Sequence, residues 1–105
     1  MAVLAIYTYS VKPGRMNHFL GKLSQAASPQ FKSAVMPKNV RLFRNTVPGP
    51  ETELVELHIE YEDMAAFGAR NVFEHTNKEW QDLFAAEHDS PETLVSVKLL
   101  TEMNH

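Results

Sequence analysis

At 105 residues the chain has room for one hydrophobic core, so a single domain over 1–105 is expected. A hydrophobic fraction of 44% and a charged fraction of 22% are those of an ordinary globular protein, and a net charge of −3 argues against nucleic acid or an anionic membrane as partner, since both need a basic face. Cysteine is absent, which excludes disulfides, thiolate zinc sites and cysteine nucleophiles.

The opening MAVLAIYTYS is apolar but lacks a basic leading region and soon meets Lys12, so it reads as a strand and not as a signal peptide. No stretch is long enough to span a bilayer, and a cytoplasmic protein is the expectation. Ala2 to Ser10 is a β-branched and aromatic run closed by Lys12-Pro13-Gly14, which predicts the first strand. From Arg15 to Ala27 the period changes: Met16, Phe19, Leu20, Leu23 and Ala27 draw one stripe of a helix. Ser28-Pro29 ends it, and Gln30 to Met36 adds another helical turn before Pro37.

Asn39 to Tyr61 is the centre of the chain. Val40 to Asn45 mixes β-branched and aromatic residues with Arg41 and Arg44, and Val55, Leu57, Ile59 and Tyr61 alternate with Glu56, His58, Glu60 and Glu62. Successive strand side chains point to opposite faces, so the second run is a strand with one apolar and one ionisable side. Pro48-Gly49-Pro50 between the runs cannot be helical, which makes an antiparallel hairpin the economical reading.

Asp63 then suits a helix N-cap. Met64, Phe67, Val72, Phe73, Thr76, Trp80, Leu83 and Phe84 keep helical spacing, with a break expected near Gly68 and Asn71 and an exposed Glu74–Lys78 pair. His88-Asp89-Ser90-Pro91 stops the helix, and Thr93 to Thr101 alternates as a last strand.

The resulting order, β-α-β-β-α-β, predicts an α+β ferredoxin-like fold: a four-stranded antiparallel sheet with two helices on one face. The helix-free face is then expected to carry Tyr7, Tyr9, Arg41, Phe43, Glu56, His58, Glu60, Leu94, Ser96, Lys98 and Leu100. That mixture is too apolar for a solvent face and too charged for a dry core. Two copies joined through it as a homodimer would bury the apolar members and enclose a chamber lined by the polar ones.

Residues Tyr7 to Arg15 (YTYSVKPGR), Phe43-Arg44, Pro48-Gly49-Pro50, the Glu53–Tyr61 strand, Asp63-Met64-Ala65-Ala66-Phe67 and Glu79-Trp80 resemble landmarks of NIPSNAP-like proteins. These belong to the wider dimeric α/β-barrel, antibiotic-biosynthesis-monooxygenase-like superfamily. The chain departs from that pattern where Tyr7 stands in place of an arginine usual in the first strand. The resemblance implies a homodimer with a sheet-lined pocket. It implies no one chemistry, because the superfamily includes cofactor-free oxygenases, haem-degrading enzymes, isomerases and proteins of unknown activity.

Glu56, His58 and Glu60 are the sharpest candidate constellation, spaced about 6.6 Å apart along one strand face. Carboxylates beside an imidazole favour its protonated form, which suits proton shuttling; a hydrated charge row paired with Arg41 or Lys98 is the plain alternative. Two metal ligands could come from alternate strand positions, but no third is identifiable, so no metal site is assigned. Tyr7 and Tyr9 are candidates for stacking on a ligand or donating to an oxyanion, and equally for filling a dimer interface. Arg41, Phe43, Ser96 and Lys98 complete the expected substrate-binding set. Trp80, Phe73, Phe84 and Phe67 read as core, or as a lid over the pocket mouth.

No Ser-His-Asp order, phosphate loop or dinucleotide fingerprint is present. The expected function is binding of a small organic molecule, with cofactor-independent oxygenation or proton transfer on an aromatic or polyketide-like substrate as the reaction. There His58 is the acid/base and Glu56 or Glu60 its partner. A haem-binding variant would need an axial histidine, for which only His58 is placed. A non-catalytic homodimeric interaction module is the alternative.

Overall fold

The computed structural model describes residues 1–46 and 54–103. Its elements run β1 (Val3–Val11), α1 (Met16–Ala26), β2 (Asn39–Arg44), β3 (Leu54–Tyr61), α2 (Met64–Thr76), α3 (Lys78–Leu83) and β4 (Glu92–Thr101). The strands form one antiparallel sheet in the order β2-β3-β1-β4, so β1 and β3 are central. This is the expected ferredoxin-like α+β plan. No helix among the described residues is long and apolar enough to cross a membrane.

One sheet face carries the helices. From α1, Phe19 packs on Tyr9, Val11 and Val55, and from α2, Ala66 and Phe67 pack on Val3, Ala5 and Tyr61. The molecule is a slab of 38 × 37 × 19 Å, so the other sheet face is its surface. Between β1 and α1 the chain turns through Gly14 at φ 75°, a left-handed conformation that a residue with a Cβ resists.

Several local expectations are corrected. Helix α2 runs unbroken through Gly68 and Asn71; the break comes at Asn77, whose extended backbone (φ −95°, ψ 112°) ends α2 and whose side chain accepts the Trp80 N–H to cap α3. The packing of Phe67 outweighs the modest propensity cost of one glycine. Glu74 does not pair with Lys78, because the helix ends between them; it pairs with Arg70, one turn earlier. The helical turn expected over Gln30 to Met36 is a single 3₁₀ turn, Pro29–Phe31. The predicted Pro48-Gly49-Pro50 turn lies outside the described residues.

The largest correction concerns faces. Cross-strand partners share a face, and Tyr7 pairs with Leu57 and Tyr9 with Val55, so both tyrosines lie on the helix-covered side. A β-bulge then changes the phase of β4: Thr8 pairs with Ser96 but Tyr9 with Leu94, leaving Val95 between them. Leu94 therefore turns to the helix side, while Ser96, Lys98 and Leu100 stay on the helix-free face opposite Thr8, Ile6 and Leu4.

Candidate ligand cavity between sheet and helices

A cavity of about 780 Å³ opens between the sheet and the helical layer. Its floor includes Tyr7, Tyr9, Leu57, Ile59 and Tyr61; Leu23 of α1, Arg70 and Glu74 of α2, and Trp80 and Phe84 beyond them form the walls. This size suits a small organic ligand, and the lining is mainly apolar with a few polar groups, as ligand sites usually are.

Arg70 organises the polar part. It is 3% exposed. Its Nε donates to Glu74 Oε2 at 2.9 Å, and its Nη1 to the Phe31 carbonyl at 2.7 Å and the Ser33 hydroxyl at 3.1 Å. The guanidinium also stacks on Phe73 and Trp80, at 4.6 and 5.1 Å from the ring centroids. Trp80 in turn meets Phe31 edge-on and Phe84 at a tilt, so aromatic contacts and salt bridge hold one another.

Burial pushes the Glu74 carboxyl above its usual range, and the hydrogen bond and charge of Arg70 only partly offset this. Burial likewise raises Tyr7, Tyr9 and Tyr61, with the Glu74 carboxylate adding to the rise at all three. Each phenol therefore stays a neutral O–H near neutral pH. Among the described residues, none of these three hydroxyls hydrogen-bonds to another protein group, and no fully buried side-chain polar atom lacks a partner. All three tyrosines line the cavity. Glu92 also lines the cavity, and both its oxygens accept from Lys22 of α1, at 2.9 and 2.8 Å.

The structure divides the residues singled out from sequence. Tyr7 and Tyr9 line the cavity. Arg41, Phe43, Glu56, His58 and Glu60 lie together on the opposite sheet face. There His58 Nε2 is 2.9 Å from Glu56 Oε1, the His58 ring sits 4.6 Å from that of Phe43, and Arg41 lies over Phe43 at 4.9 Å. Glu60 turns instead to Lys38, at 3.9 Å. Among the described residues neither Arg41 nor Lys98 pairs with these carboxylates. Ser96 and Lys98 share that face but lie across β1 from β3. No group of three or more His, Asp or Glu among the described residues is arranged to hold a metal ion.

Sequence reasoning missed Arg70, Glu74, Tyr61, Lys22 and Glu92. A signal existed: Lys22 follows Phe19 by three positions and Arg70 follows Phe67 by three, so each places a cation on an apolar helix stripe. A charge held at such a position needs a buried partner.

No family model and no curated protein matches the chain. Solved structures do. An antibiotic biosynthesis monooxygenase-like protein from Bordetella bronchiseptica superposes with a TM-score of 0.66 at 21% identity, covering 98% of each chain. An uncharacterised NIPSNAP-like domain protein from Burkholderia xenovorans gives a TM-score of 0.68 at 18% identity, over 97% of this chain and 85% of that one. A NIPSNAP family protein from Agrobacterium tumefaciens gives 0.70 at 12% identity, over 98% and 87%.

Proposed function

From a NIPSNAP-like, ferredoxin-like fold enclosing this cavity, we propose that the chain binds a small aromatic or polyketide-like molecule between its sheet and helices. The proposed reaction is a cofactor-independent proton transfer on that molecule, as in the opening step of cofactor-free oxygenation. The observation that carries the reading is that Tyr7, Tyr9 and Tyr61 all line an apolar-walled space, with hydroxyls that no described protein group engages. Neutral phenols can donate to a ligand carbonyl or to an oxygen that gains negative charge. Glu74 in its ionised form can take the proton, and Arg70 holds it in place. The neighbour from Bordetella bronchiseptica supports oxygenation as the reaction class by its description alone.

The helix-free face has a separate role in this proposal: it joins two copies of the chain. Phe43 and Leu100 are exposed there, with Leu4 and Ile6 half-buried between them. Arg41 and Lys98 would meet Glu56 and Glu60 of the second copy, so the His58 row becomes interface and not chemistry.

Calorimetric titration with 2-naphthol tests the binding site. Saturable binding that weakens about tenfold in Tyr9→Phe, the scale of one lost hydrogen bond to a charged or polarised group, is expected. Binding unaffected by Tyr9→Phe, Tyr7→Phe and Tyr61→Phe alike would contradict it.

A further inference from the structure

The charges around the cavity restrict which ligands it can take. Arg70 is bound to Glu74, and Lys22 to both oxygens of Glu92. The remaining lining carboxylate, Glu87, forms no ion pair among the described residues. The cavity wall thus offers carboxylates and neutral phenols, while Arg70, the lysine or arginine among its described lining residues, is committed to Glu74, and Lys22 stands behind the wall on Glu92. His75, at the rim, is exposed and uses Nδ1 on the Asn71 carbonyl at 2.8 Å.

We infer that the cavity selects neutral, hydroxyl-bearing ligands and rejects carboxylates, with the Glu74 carboxylate accepting the ligand O–H and the tyrosine hydroxyls donating to its other oxygens. This rests on the proposed aromatic-binding role of the same cavity and adds its charge specificity. A ligand carboxylate would have to shed water and lie beside Glu74 and Glu92 with no uncommitted lysine or arginine among the described lining residues to meet it, a heavy cost for a buried anion. A phenol or enol O–H brings no charge and supplies the donor that Glu74 lacks on its cavity side. A neutral ligand hydrogen-bonded in this way is also the ground state from which its proton can pass to Glu74.

Two probes of nearly equal shape separate the possibilities: 2-naphthol, neutral at pH 7, and 2-naphthoate, an anion. Titration of the intact protein should show 2-naphthol binding tighter by about tenfold or more, the loss typical of a buried charge left without a partner. Glu74→Gln should narrow that ratio by weakening naphthol and admitting naphthoate. Glu92→Gln, which removes a lining carboxylate and releases the Lys22 ammonium behind it, should raise the affinity for naphthoate relative to naphthol, so the inference can be tested even if the Glu74 variant fails to fold. If both probes bind and naphthoate binds as well or better, or if neither folded variant alters the ratio, the charge selectivity is wrong while the aromatic-binding role stands. If neither probe binds, both are wrong.

Discussion

At the scale of single residues, the cavity depends on one buried ion pair. Arg70 and Glu74 have side-chain exposures of 3% and 17%, so neither charge has water enough to stand alone. Arg70→Met strands the Glu74 carboxylate and removes the bonds to Phe31 and Ser33, and should lower stability by about 3 kcal/mol. Urea melts of Arg70→Met, Glu74→Gln and the double variant check this. The double variant should lose less than the sum of the singles, because the stranded charge is gone. Glu74 also sets a pH dependence. Its pKa in the folded protein is raised above the ordinary 4.5, so as pH climbs from there the unfolded chain ionises first. The folded state then binds the extra proton, and stability falls with rising pH until the raised folded value is passed. Urea midpoints across the acid-to-neutral range should therefore decline less in Glu74→Gln than in the parent.

At the scale of elements, glycines test the local backbone assignments. Gly68 lies inside α2, and a Cβ added there meets nothing within 4 Å, so Gly68→Ala should stabilise by about 0.5–1 kcal/mol. Gly14→Ala, at φ 75°, should instead cost about 1–2 kcal/mol. Thermal melts of the pair distinguish the two signs. The same elements show what was readable beforehand. Strand β3 alternates between an aliphatic and an ionisable side, so its faces followed from the sequence. Strand β1 has Leu4 and Ile6 on one side and Val3, Ala5 and Val11 on the other, so its period could not say where Tyr7 and Tyr9 point; only the ladder with β3 does. The β4 bulge leaves no mark in a run of alternating aliphatics, and the end of α2 at Asn77 is set by a cap that propensity alone did not rank above Gly68. The sequence therefore disclosed the topology and the central strands, but joined two faces into one site.

At the scale of the molecule, the slab presents a cavity under the helices and an open sheet face. If two copies meet through the open face, sedimentation should report a species of twice the chain mass. Ile6→Glu, which sets a charge in the middle of that face, should then yield monomers; a monomeric parent would contradict the pairing. The cavity lies on the other side and is lined within one chain, so ligand binding should survive that dissociation.

The central claim is that ligand chemistry belongs to the helix-covered side of the sheet. Backbone amide NMR spectra recorded during titration with 2-naphthol test it most directly. The account predicts perturbations gathered on Tyr7, Tyr9, Tyr61, Arg70, Glu74 and Trp80. Perturbations confined to Arg41, Phe43, Glu56 and His58, or none at saturating naphthol, would contradict it.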